Sequence, residues 1–138
     1  MSWLFDAADA LGAALEGACG LKAQVGIPDS IAPGTCGVLM SETPVEYSFA
    51  ESGGVSDAVA TLTLWSCRGV TGSRRGDRAS IEAASADMDA LKAALEADMT
   101  LGGSVAMARL ASVTVHAGRG GDNRYEATAV AKVEVSQW

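Results

Sequence analysis

Between residues 77 and 98 the apolar positions Ile81, Ala84, Met88, Leu91 and Leu95 recur at spacings of three and four, the stripe of an amphipathic helix. Glu82, Asp87, Asp89, Lys92 and Glu96 fall off that stripe and predict a solvated opposite face. Lys92 precedes Glu96 by four residues, the weaker order for a helical ion pair. Asp77 stands where an N-cap is expected, and Gly102 and Gly103 form a structural turn that stops the helix, because glycine enters the left-handed region without a Cβ clash. Such a stripe requires a sheet to cover.

A second stripe, Leu4, Ala7, Ala8, Leu11, Ala14, Leu15 and Ala18, predicts an N-terminal helix with Ser2 as its cap, Asp6, Asp9 and Glu16 turned away, and Gly17 and Gly20 at its end. Trp3 precedes the stripe and is read either as a core residue that staples or anchors it or as an interface residue. Pro28, Pro33 and Pro44 exclude a helix from residues 26–44, leaving loop around one short strand over 36–40. Strands are expected over 45–49 and, after an acidic glycine loop at 51–57, over 58–67. In the latter, Val59, Thr61, Thr63, Trp65 and Cys67 alternate with Ala60, Leu62 and Leu64, so both faces are largely apolar, as in a central strand. Residues 68–78 read as a polar loop, 110–116 as a strand, 117–123 as a glycine-rich loop and 125–135 as the returning strand. Tyr125, Ala127, Ala129, Ala131, Val133 and Val135 share one face of that strand. The order predicts one α+β domain over 1–138: a mostly antiparallel sheet packed by two helices, closing on a C-terminal β-hairpin.

Composition sharpens this picture. The chain is 49% hydrophobic but only 5% aromatic, so the core is expected to consist of small side chains between layers. The net charge of -7 opposes general affinity for nucleic acid or an anionic membrane. Cys19, Cys36 and Cys67 are odd in number and widely spaced, which predicts reduced, buried thiols rather than a zinc or redox motif. With no basic region and apolar run at the N-terminus and no apolar stretch of membrane-spanning length, the expected location is a cytoplasm.

No local pattern carries chemistry. His116, the single histidine, has no acid or cysteine at ligand or nucleophile spacing and reads as a satisfied structural residue. The glycine pairs at 53, 102 and 120 lack the lysine and hydroxyl of a phosphate loop. No catalytic residue, cofactor or metal is expected. Arg75-Gly76-Asp77 matches an adhesion tripeptide that short sequences contain by chance. The unusual feature is that Arg68, Arg74, Arg75, Arg78, Arg119 and Arg124, six of ten basic residues, gather in or beside two expected loops of an acidic chain. Either these loops hold charge for solubility, or the guanidinium groups, with Trp138, dock acidic neighbours.

The run from Leu91 to Val105, with its Asp98-Met-Thr-Leu-Gly-Gly103 turn, is followed by a strand, a polar hairpin, Tyr125 and a last alternating strand. Together with the upstream order through Tyr47 and the 58–67 strand, it resembles the tail terminator, or tail-completion, proteins of long-tailed bacteriophages. The resemblance implies a virion ring, usually of six copies, at the head-proximal end of the tail. Such a ring sits on the tail tube protein, stops its polymerisation and meets head-tail connector proteins. DNA passes through without specific binding, no membrane is involved, and assembly takes place in the host cytoplasm. Neck adaptors and minor tail proteins share parts of this layout. Two readings from other classes are a small cytosolic enzyme or ligand-binding domain built from Tyr47, Arg68, His116 and Glu126, and a DNA-binding module using the arginine loops.

Overall fold

The computed structural model of the chain describes residues 2–26, 33–39, 46–52, 55–71, 76–121 and 124–137. Its elements in order are α1 (Ser2–Cys19), β1 (Ala23–Val25), β2 (Thr35–Leu39), β3 (Glu46–Ser52), β4 (Val55–Thr71), α2 (Gly76–Ala97), β5 (Met107–Gly121) and β6 (Arg124–Gln137). The strands form one sheet in the order β1-β2-β4-β6-β5, with β3 beside β2 along the same side of β4. All pairings are antiparallel except β1 with β2. The fold is α+β, and β5 and β6 make the C-terminal hairpin.

Both helices pack on one face of this sheet. Ala7, Ala8, Leu11 and Leu15 of α1 and Ala84, Met88, Leu91 and Leu95 of α2 are buried against Cys36 and Val38 of β2, Ala60, Leu62 and Leu64 of β4, and Ala127 to Val135 at alternate positions of β6. Each fully buried leucine or valine contributes about 1.5–3 kcal/mol. Alanines at 127, 129 and 131 keep the middle of β6 low, which suits close approach of a helix. On the opposite face of β4, Thr63, Trp65 and Cys67 are also buried, as expected for a central strand. Gly37 lies in β2 where the parallel β1 passes so closely that a Cβ would sit 2.3 Å from the carbonyl oxygen of Gln24. Only glycine fits there.

Several boundaries differ from the sequence expectation. Gly17 lies inside α1, and the chain turns instead at Gly20, where φ is +71°. α2 begins at Gly76, so Asp77 is inside the helix rather than its cap. Ile81 sits at the margin of the apolar stripe and is 38% exposed. The strand β4 continues to Thr71, taking in Arg68, and β5 runs to Gly121, taking in the glycine-rich segment expected as a loop. The reason is common to both. β6 is long enough to pair with Arg68–Thr71 on one side and Ala117–Arg119 on the other, so cross-strand hydrogen bonding overrides weak local strand propensity. β3 and β4 likewise extend into the expected 51–57 loop, to Ser52 and from Val55. Met40, Gly53, and Pro28 and Pro44 lie outside the described residues.

Candidate assembly interface

The described chemistry gathers in three places. The first is a polar cluster between the helices and the sheet. Arg68 and Ser66 lie on the helix-facing side of β4, opposite Ala127 and Ala129. The Arg68 guanidinium donates through Nε to Asp87 Oδ2 at 2.7 Å and through Nη2 to Asp87 Oδ1 at 2.9 Å, the forked geometry in which arginine binds a carboxylate. The same Nη2 donates to the Cys19 carbonyl, which helps to satisfy the C-terminal end of α1. Ser66 Oγ donates to Asp87 as well. The Asp87 hydrogen bonds hold the Arg68 guanidinium even further toward its charged form than usual, against the opposing effect of burial. This overturns the reading of Asp87 as part of a solvated face. It is 6% exposed and ties α2 to β4 and α1. Arg68, expected in a flexible loop, is held partly buried against its own chain.

Beside the cluster, Cys19 and Cys36 are buried free thiols, and Cys67 is a third. Burial, with the charge of Asp87 nearby, pushes the Cys19 thiol up to about 12. Cys36 and Cys67 are raised too, again chiefly by burial. Thiols kept neutral in this way pack as small apolar groups and are poor nucleophiles.

The second place is the turn after α2. The Asp98 carboxylate accepts hydrogen bonds from the Thr100 amide at 3.1 Å, the Thr100 hydroxyl at 2.7 Å and the Gly102 amide at 2.8 Å. These bonds, the hydroxyl first, hold its pKa below the ordinary carboxylate value. Three successive residues, Leu101, Gly102 and Gly103, have φ of 51°, 69° and 89°, so a left-handed turn is present at the two glycines and begins one residue earlier, but α2 has already ended at Ala97 and the glycines are not what stops it. The Ala108 amide then donates to the Met99 carbonyl and leads the chain into β5.

The third place is the free edge of β5. This strand pairs only with β6 among the described residues. Ala111 to Thr114 and His116 to Gly118 are exposed along it. His116, expected to be structural, is an exposed edge residue opposite Thr128. At the start of the strand, a small groove of roughly 100 Å³ opens between α2 and β5, lined by Leu95, Met99, Ala108 and Leu110 with Lys92, Glu96 and Arg109 at its rim. Met99 is 53%, Met107 44% and Val113 40% exposed nearby.

The predicted arginines do not form one patch. Arg78 pairs with Glu82 along exposed α2 at 2.9 Å, a surface pair of little energetic weight. Arg119 and Arg124 lie on the two strands flanking residues 122–123, at the hairpin end of the sheet. Arg74, Arg75 and Trp138 are outside the described residues. The four residues of the ligand-site reading do not converge. Arg68 is on the helix-facing side of the sheet, whereas His116 and Glu126 belong to positions of the other side. Tyr47 is placed in β3, across β4. Among the described residues no group of three metal-ligating side chains comes together, and no helix is long and apolar enough to cross a membrane. Sequence reasoning misses Asp87 and the β5 edge. The first is readable from its spacing, three after Ala84 and four before Leu91, and the second from the run Leu110–Gly118, which contains no Asp, Glu, Lys, Arg or Pro.

No protein-family model matches the chain, and no curated protein matches it. Among solved structures, the chain is similar to one described as the virion of a native gene transfer agent particle, with 14% identity over 88% of this chain and 84% of that one and a TM-score of 0.38. A likeness of that depth carries no weight for function.

Proposed function

We propose that the chain is a structural protein of a phage-like virion, and that it forms a ring which ends the tail tube and joins it to the head. The observation that carries this reading is that, among the described residues, the sheet has two unlike sides on which no further strand is paired. One is the fifteen-residue β5, and the other is made of the short strands β1 and β3. Copies that associate through unlike surfaces do so head to tail, and head-to-tail contacts close into rings when the rotation per copy permits. The Asp98–Gly103 turn, the segment most specific to the resemblance with tail terminators, adds support as an internally capped structure rather than a loose loop. The reading requires no reaction, cofactor or metal. Arg74, Arg75, Arg119, Arg124 and Trp138 remain its candidate contacts to neighbouring copies, to the tube protein and to the connector, and the virion is the expected location.

Native mass measurement of the purified protein with tail tubes, together with micrographs of particles lacking it, tests the reading. A ring mass and overlong tails without heads are expected. Tails of normal length already joined to heads would overturn it. Arg74→Glu with Arg75→Glu is expected to leave the fold intact but to weaken tube binding at low salt, and raised salt is expected to weaken the parent in the same direction.

A further inference from the structure

Sheet edges are normally blunted by charge, proline or short length, because their unpaired amides and carbonyls otherwise recruit another strand. β5 has none of these protections in its middle, and its irregularities, between Leu110 and Ser112 and between Arg119 and Gly121, fall at the two ends. Leu110–Gly118 is nine residues without a charge or a proline, and side chains along it are exposed on both faces of the sheet.

We infer that the β5 edge is a strand-addition site whose occupant is β3 of a second copy of this chain, an inference that rests on the ring reading above and names its contact. Three observations select this occupant. Charge is the first: Met107–Gly121 contains two bases, Arg109, which also pairs with Glu134 of β6, and Arg119, and no acid, whereas Glu46–Ser52 contains Glu46 and Glu51 and no base. Direction is the second. β3 is antiparallel to β4, β4 to β6, and β6 to β5, so β3 and β5 run oppositely within one sheet. Copies set side by side in the same sense, as rotation about a ring axis requires, therefore bring β5 of one and β3 of the next together antiparallel. Length is the third, since the seven residues of β3 fit within the uncharged run with Arg109 and Arg119 just beyond its ends.

The groove beside the start of β5 extends the fit. Leu95, Met99, Ala108 and Leu110 line it with apolar surface next to the first residues of the uncharged run. β3 supplies Tyr47 and Phe49 at alternate positions, the type of side chain that gives specificity when backbone pairing provides the affinity. Repeated around a ring, this pairing joins the separate sheets into one closed sheet and leaves no β5 edge free.

The test compares the parent with Val113→Glu/Thr114→Glu. Both sites are exposed, so the variant is expected to fold and melt within a few degrees of the parent, while the new acids face the acidic strand of the neighbour. Native mass spectrometry and sedimentation should show ring formation by the variant weakened at least tenfold. Hydrogen exchange on the parent gives a second reading that needs no variant: alternate amides within 110–118, and amides within 46–52, should slow on assembly. Rings formed equally well by the variant, or unchanged exchange in both strands of an assembled parent, would overturn strand addition and leave the ring reading intact. A parent that stays monomeric on tubes, or stops at two copies, would instead overturn the ring reading along with it.

Discussion

The fork between Arg68 and Asp87 offers the sharpest quantitative test of how the helices are held. In Arg68→Met, Asp87 keeps only Ser66 as a described partner for a carboxylate whose side chain is 8% exposed. Removing one partner of a buried pair costs about 3–5 kcal/mol when both ends are dry. The Arg68 side chain is 25% exposed, so water relieves part of the loss, and about 3 kcal/mol is expected. In Asp87→Ala, Arg68 loses two charge-assisted bonds but keeps the Cys19 carbonyl and its water access, and about 2–3 kcal/mol is expected. The double variant removes both charges together. Its loss should fall short of the summed singles by on the order of 2 kcal/mol, because neither charge is stranded. At roughly 0.3 kcal/mol per degree for a chain of this length, the single variants should lower Tm by about 7–10 °C. Urea titrations of the four proteins give the cycle. Strict additivity, or an Arg68→Met loss below about 1 kcal/mol, would show that the fork is surface decoration and that apolar contacts alone seat α2.

Two further predictions concern the turn after α2. Gly102→Ala and Gly103→Ala should each cost on the order of 1 kcal/mol from backbone conformation alone, since a methyl group at either position would meet nothing within 4 Å beyond the adjoining residues, whereas Gly118→Ala on the exposed edge, without a positive φ, should cost nothing; thermal melts decide. The pKa of Asp98 is lowered in the fold from 3.8, so its contribution is complete above that value and is lost as pH falls through the lower folded value. Asp98→Asn should therefore be less stable than the parent at neutral pH and converge on it in acid, as read from urea midpoints; parallel curves across that range would contradict the assignment.

What is legible in the sequence follows from where local and long-range forces agree. The stripes of α1 and α2 and the alternation of β4 and β6 each reflect a face buried along its whole length, so periodicity alone locates them. Ala117 to Gly121 cannot be recognised as strand from its own composition, because what makes it one is the length of the β6 partner. Asp87 is misread when charge is equated with exposure, although its helical position is that of a core residue. Its partner lies nineteen residues away on another element, and no local spacing announces such a pair. The candidate interface is only partly legible for the same reason. An arginine count finds charge, but an open edge is a property of the topology, visible only once β5 is known to be last in the sheet.

The contact at Gly37 has a consequence for how the sheet finds its alignment. In the observed alignment Gly37 lies opposite Gln24, and a Cβ at that position would meet the Gln24 carbonyl oxygen, so this alignment depends on the missing side chain. Pairing energy alone would distinguish poorly between neighbouring alignments of a three-residue strand. The bare backbone at position 37 makes room for this one, and α1, which ends at Cys19 just before β1, comes to lie on the same strand.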